Sequence, residues 1–346
     1  VDRLSVEFDG DKVDALIDGA IHDPAATDEV YALFELLFPH QEKLEIDDTD
    51  NLHLLVDEDT ASIPWELLCG RGSGHPSQAL AIRSGLLRQL RPTLGAEPMR
   101  RTGRPPLGYR ALVVGDPPAG DDVPRLPGAR REARAVAARL EQAGYTVERL
   151  IFDDDADPVS SWLEIQTALY RQPYRVVHFA THGDVDLEHP QRTGLLIGPQ
   201  QRLTAVDLRQ MSVTPDLVFL NACHVGRVGR GAGLRLAQSR ANELAANLGL
   251  QLMRNGVRAV VAAGWAVDDH AAVQFAETLY DQLLGGQHYG VAVHEARKSA
   301  LDGRTNTWAA YQCYGDPSFA LQAAPSRPRK PAPVSARQLI EMLDVL

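Results

Sequence analysis

The chain has 346 residues, 44% hydrophobic and 23% charged, a balance that suits one large or two modest globular domains. Its formal net charge of −11, from 35 basic and 46 acidic residues, repels phosphate backbones and argues against nucleic acid as a direct partner. No apolar run approaches membrane-spanning length and no basic-then-apolar leader opens the chain, so neither a membrane partner nor a targeting segment is expected. Residue 1 is Val rather than Met, which fits a fragment of a longer protein or a processed one. The three cysteines, Cys69, Cys223 and Cys313, are far apart and never form C-x-x-C. That spacing argues against a disulfide framework or a cysteine zinc site and points to a reducing, cytoplasmic compartment.

Residues 1–91 mix short strand-like runs, "LSVEF", "LHLLV" and "LAIR", with the helical stretch "ATDEVYALFELLF", and predict a smaller α+β subdomain. Residues 92–107 concentrate Pro, Gly and Arg without periodicity and read as a linker. From 108 to 322, strands such as "YRALVVGD", "YTVERLIF", "YRVVHFA", "DLVFLNA" and "VRAVVAAGW" are interleaved with amphipathic helices, and "SFALQ" reads as a last short strand. Fully apolar strands spaced by helices imply a mostly parallel sheet covered on both faces. Residues 323–346 combine a Pro-rich spacer with a helix whose Ala336, Leu339, Ile340, Leu343 and Leu346 share one face, suited to packing on its own domain or to docking a partner.

Two strands end in versatile side chains. "VVHFATHGDVD" carries His182 and "LVFLNACHVGR" carries Cys223. In open parallel sheets, functional groups gather where strands reach their carboxyl edge, so both residues are expected on one edge. A thiolate is the nucleophilic form of cysteine, and an imidazole that takes the thiol proton supplies it. His182 is the candidate base. Gly183 leaves its N–H unshielded by a Cβ, and with the N–H of Cys223 it could face a developing oxyanion. The chemistry would be amide hydrolysis through a thioester. His178, four residues earlier, is expected inside the sheet as a core residue, and His224 faces away from its neighbour Cys223 in an extended chain.

"HFATHG" and "LNAC", in this order and spacing, resemble the CHAT-domain branch of the caspase-like cysteine peptidases, relatives of separase, caspases, metacaspases and gingipains. "IPWELL" (63–68), "ALVVGDP" (111–117), "GVRAVVAAGWAVDD" (256–269), "AAVQFAETLYDQLLGG" and "TWAAYQCYGDP" (307–317) extend the likeness over about residues 50–322. The resemblance implies a caspase-like three-layer α/β sandwich, a catalytic His182–Cys223 dyad, Gly183 on the oxyanion side and no cofactor. In "WAVDD", Asp269, with Asp268 beside it, matches an acidic residue lining the S1 pocket, and a carboxylate there would receive Arg or Lys. The competing reading makes Asp269 the N-cap of a helix starting at residue 270. The resemblance further implies a protein substrate, a sensor or repeat domain or regulatory partner controlling activation, and a role as an effector in bacterial defence or cell death.

The Gly- and Arg-rich stretch 224–240 reads as a solvated loop, an activation loop or a self-cleavage site, and "DDDADP" (153–158) as an exposed acidic loop. A phosphate site built on "GRVGRGAG" lacks the G-K-[ST] of a P-loop. A metal hydrolase built on His178, His182, Asp184 and Asp186 lacks a second acidic cluster. A catalytically silent binding module of the same fold is the remaining alternative.

Overall fold

The computed structural model describes residues 10–23, 25–38, 52–58, 60–69, 75–90, 108–184, 193–211, 213–224, 241–321 and 324. Among the described residues, ten strands form one sheet: β1 (His53–Val56), β2 (Leu87–Leu90), β3 (Arg110–Gly115), β4 (Thr146–Ile151), β5 (Val176–Asp184), β6 (Gly194–Gly198), β7 (Gln201–Leu203), β8 (Leu217–His224), β9 (Ala259–Ala263) and β10 (Tyr311–Gly315). The strand order is β1-β2-β10-β9-β8-β5-β3-β4, with β6 attached to β5 and β7 to β6. Every neighbour on the main path is parallel except β10 with β9.

The first halves of the central strands are mostly apolar because both faces are covered. Val113, Val176, Phe219 and Val261 belong to one core, whereas Leu112, Val177, Leu220 and Val260 belong to the other, as strand alternation requires. The first face carries α1 (Gly10–His22), α2 (Thr27–Leu37), α4 (Pro127–Gln142), α8 (Asp269–Leu284) and α9 (Tyr289–Ser299), after the short α3 (Leu80–Arg83). The second carries α5 (Pro158–Arg171), α6 (Ala205–Arg209) and α7 (Ala241–Arg254), and one turn, α10 (Thr307–Ala310), leads into β10. The helix–sheet–helix sandwich with a mostly parallel sheet is the architecture expected from the strand and helix pattern.

Several local expectations are corrected. "LAIR" is the helical turn α3, which follows the 3₁₀ turn Pro76–Gln78; its Leu80 N–H bonds the Leu68 carbonyl. A four-residue apolar run does not distinguish helix from strand by periodicity. "SFALQ" forms only an isolated bridge, Ala320 with His288. The last strand among the described residues is instead "YQCYG", which is fully buried between β2 and β9. "LSVEF", the 92–107 linker, the loop 225–240 and the helix assigned near the C-terminus lie outside the described residues.

Strands from both sides of 92–107 share the one sheet. Arg88 of β2 is the Cα partner of Tyr314 of β10. Arg88 is fully buried and grips Glu66 of the "IPWELL" segment through two bonds, Nε to Oε1 at 2.9 Å and Nη2 to Oε2 at 2.5 Å. It also donates to the carbonyls of Ile63 (2.8 Å) and Ala61. Arg297 of α9, equally buried, approaches Glu66 at 3.4 Å and donates to the carbonyls of Tyr311 (3.1 Å) and Leu86. One carboxylate and four carbonyls thus compensate two guanidinium groups taken out of water.

Candidate active site

Strands β5 and β8 are neighbours with unbroken parallel register from Val176↔Leu217 to Gly183↔His224. His182 and Cys223 are therefore Cα partners, at the carboxyl ends of both strands. Cys223 stands two residues beyond Asn221, a strand position of the same parity.

His182 is buried, with 1% of its surface exposed. Its Nε2 lies 2.6 Å from the carbonyl oxygen of Pro124. A carbonyl can only accept, so Nε2 carries the hydrogen and donates, which leaves Nδ1 with the lone pair in the neutral ring. Nδ1 has no hydrogen-bond partner among the described residues. Burial holds the imidazolium pKa below the usual histidine value; the Pro124 carbonyl and Asp116 oppose that shift, and Arg125 adds to it. The neutral ring thus has a defined tautomer, with the Nδ1 lone pair unengaged among the described residues.

Gly183 continues β5, facing Leu195 of β6 on one side and His224 of β8 on the other. An added Cβ would come within 3.1 Å of Leu244 Cδ2 and 3.3 Å of the Ala222 carbonyl, so the backbone here lies close against α7.

Asp268 and Asp269 separate in role. Asp268 is the N-cap of α8: its Oδ1 accepts from the N–H groups of His270 and Ala271, both at 3.0 Å. The cap considered for Asp269 therefore falls one residue earlier, and the carboxylate of Asp268 is committed to the helix end. Asp269 is the first residue of α8 and is exposed; its Oδ2 lies 3.0 Å from Arg131 Nη2. It lines a small cleft with Gly128, Glu132, Thr181, Asn221 and Val267. Thr181 and Asn221 precede His182 and Cys223 by one and two residues, so the cleft opens beside the strand ends that carry the pair. Gly128 in the first turn of α4 makes room for this, since a Cβ there would sit 2.2 Å from the Asp269 carboxylate.

Beneath the cleft runs a buried polar chain. Asn221 Nδ2 donates to Glu132 Oε2 (2.5 Å), and Glu132 Oε1 lies 3.2 Å from His178 Nε2 without hydrogen-bond alignment. His178 Nδ1 is 3.3 Å from Tyr280 Oη, and its ring stacks on Phe219 at 4.7 Å. His178 is thus a core histidine, as its place in the strand suggested. Of the other proposed metal ligands, Asp184 bonds Arg202 (2.6 Å) and Asp186 lies outside the described residues. Among the described residues no group of three or more His, Cys, Asp or Glu side chains is placed to hold a metal. The acidic stretch 153–158 is exposed, as expected, and its carboxylates are engaged: Asp153 and Asp154 pair with Arg134 and Arg130, and Asp157 caps α5.

Sequence reasoning did not single out Pro124, whose role is played by a backbone carbonyl and leaves no trace in side-chain type. Nor did it single out Gly128, Glu132 or Asn221. Asp116 stood within "ALVVGDP" but only as part of a likeness, although a carboxylate closing an apolar strand is itself a signal.

No helix among the described residues is long and apolar enough to cross a membrane. Curated protein sequences give no match to the chain. Among solved structures it is similar to the Arg specific cysteine proteinase gingipain R (RgpB), at 12% identity and a TM-score of 0.49, over 90% of this chain and 75% of that one. It is also similar to the complex of the pro- and mature domains of RgpB from Porphyromonas gingivalis (12%, TM-score 0.43, 90% and 76% covered). A third match is the separase–securin complex of Saccharomyces cerevisiae (15%, TM-score 0.44, 78% of this chain and 16% of that one). Likeness at this level does not extend to activity. The family model of the CHAT domain matches residues 27–316, most of the chain and both strands of the site, and the chain belongs to the CHAT domain family.

Proposed function

We propose that the chain is a cysteine endopeptidase that cleaves protein substrates after Arg or Lys. The observation that carries this is the β5–β8 register, which makes His182 and Cys223 partners at one sheet edge. Nδ1 of His182 takes the Cys223 thiol proton, and the thiolate sulfur attacks the scissile carbonyl carbon. The N–H groups of Gly183 and Cys223 stabilise the resulting oxyanion. On collapse the C–N bond breaks, the imidazolium returns its proton to the leaving amine, and a thioester remains. His182 then deprotonates a water whose oxygen attacks the thioester, and the carboxylic acid and the thiol are released.

Asp269 receives the basic side chain at the P1 position. Two features support that: its carboxylate lines a cleft beside the dyad strands, and it already pairs with a guanidinium, that of Arg131. A depressed imidazole pKa supports His182 as the base, because it keeps the lone pair available at neutral pH. We assign the enzyme to the cytoplasm, as an effector of bacterial defence or cell death under the control of a sensor domain or partner. Exposing a bacterial proteome to the protein and sequencing the new N-termini tests the activity and its specificity. New termini that follow Arg or Lys with the wild type, and are absent with Cys223→Ala, are expected. Identical termini from both proteins would contradict the proposal, and no new termini from either would favour the silent binding module.

A further inference from the structure

Asp116 closes β3, on the side of β5 away from β8. Its φ of +50° lies in the left-handed region, which is costly for a residue with a Cβ, and its side chain is almost completely buried. Its own N–H bonds the Ala180 carbonyl (2.9 Å), two residues before His182. Its carboxylate organises the following segment. Oδ1 accepts from the Leu126 N–H (2.9 Å), and Oδ2 lies 3.1 Å from Arg125 Nε and 3.2 Å from Arg130 Nε. Arg125 then reaches back to the carbonyls of Asp116 (2.8 Å), Phe152 (3.0 Å) and Asp153 (3.0 Å). Burial raises the Asp116 pKa, and the Leu126 N–H and the two arginines counter that rise. The residues clamped in this way, Arg125 and Leu126, directly follow Pro124, whose carbonyl meets His182 Nε2.

We propose that Asp116 is a positioning residue: through Arg125 and the Leu126 N–H it holds the Pro124 carbonyl against His182 Nε2 and so keeps the proton off Nδ1. This rests on the reading of His182 as the base. An unheld Pro124 would free the ring to take either tautomer or to rotate, and the population competent to accept the thiol proton would fall. The charged groups acting on His182 are Asp116 and Arg125, the first favouring and the second disfavouring the imidazolium.

The test uses two variants in the full chain. Asp116→Asn keeps a residue type that tolerates positive φ and an acceptor for the Leu126 N–H while removing the charge that holds Arg125. Arg125→Gln changes a partly exposed side chain and does not depend on that backbone. Nitrogen NMR of the His182 ring in a Cys223→Ala background reads the tautomer without any need for activity. The Nε2–H form is expected to dominate with the clamp intact and to give way to a mixture in both variants. In the active protein kcat is expected to fall about 10- to 100-fold with KM nearly unchanged. With Asp116→Asn the acid limb of the pH profile should move to lower pH. Folded variants with an unchanged tautomer and unchanged kcat would overturn the clamp and leave the dyad standing. Full hydrolysis by Cys223→Ala would instead remove the dyad, while the ring spectrum would still judge the clamp.

Discussion

His182 and Cys223 are Cα partners in the parallel β5–β8 pair, and the His182 imidazole meets the Pro124 carbonyl through Nε2. Register is a strong constraint here, because a one-residue slip would exchange every side chain between two filled cores. The apolar residues Val176, Val177 and Phe179 on β5, and Leu217, Val218 and Phe219 on β8, therefore determine which residues meet at the strand ends.

His182→Ala and Cys223→Ala are each expected to lower kcat by about a thousandfold or more, and the double variant to be little worse than either, because residues acting as a unit are not additive. Single-turnover hydrolysis of an Arg-containing peptide checks this. Additive losses would separate the two residues into independent roles.

The pKa of His182 gives a sign to the pH dependence. Its folded value lies below its unfolded one, so the unfolded chain binds the proton first as pH falls. The associated stability is present above the ordinary histidine pKa of about 6.5 and is lost as pH drops through the folded value. Melting temperature should fall more steeply between neutral and mildly acidic pH in the wild type than in His182→Ala. The acid limb of kcat/KM should lie below the usual histidine range.

The two neighbouring aspartates are expected to respond differently. Asp269→Asn should raise KM for basic substrates about tenfold or more, since a charge-assisted pair is replaced by a neutral one. Asp268→Ala should instead lower stability by about 1 kcal/mol through loss of the α8 cap. Kinetics and denaturant titration on both variants give the comparison, and a reversed pattern would put the pocket at Asp268.

Gly128→Ala adds a Cβ where the Asp269 carboxylate now sits. The carboxylate must move, so turnover of Arg substrates should drop while alkylation of Cys223 by iodoacetamide keeps its rate. A parallel loss of both would mean that the change disturbs the strand ends rather than the cleft.

Glu66→Gln leaves Arg88 and Arg297 buried without a carboxylate and is expected to cost about 3–5 kcal/mol. Because β2 and β10 share this cluster, we expect one cooperative unfolding transition for the residues on both sides of 92–107, with its midpoint lowered in the variant. Two separable transitions in a melt would show that residues 1–91 fold apart.

The parallel sheet was legible in the sequence because strands buried on both faces are written as mostly apolar runs, as in residues 217–220 and in 176–180, where only His178 interrupts. The same logic brought His182 and Cys223 to one edge, since both close such runs. Strand β2 was not legible, for "LRQL" places a charged residue, Arg88, in the core and depends on Glu66, twenty-two residues earlier, to make that tolerable. Strand β10 was hidden in the same way, because Gln312 and Tyr314 are polar residues satisfied by one another at 2.8 Å. The Pro124 contact was illegible for a different reason: a carbonyl is common to every residue, and only the loop geometry set by Asp116 directs this one at the imidazole.

The central claim is that Cys223 is a nucleophile activated by His182 in a site that selects a basic side chain, and covalent capture tests it most directly. An acyloxymethyl ketone carrying Arg is incubated with the protein and the modified residue is located by peptide mass spectrometry. The account predicts one label per chain on Cys223, lost in His182→Ala and slowed in Asp269→Asn. Labelling of Cys69 or Cys313 instead, or labelling of Cys223 at the same rate in His182→Ala, would contradict it.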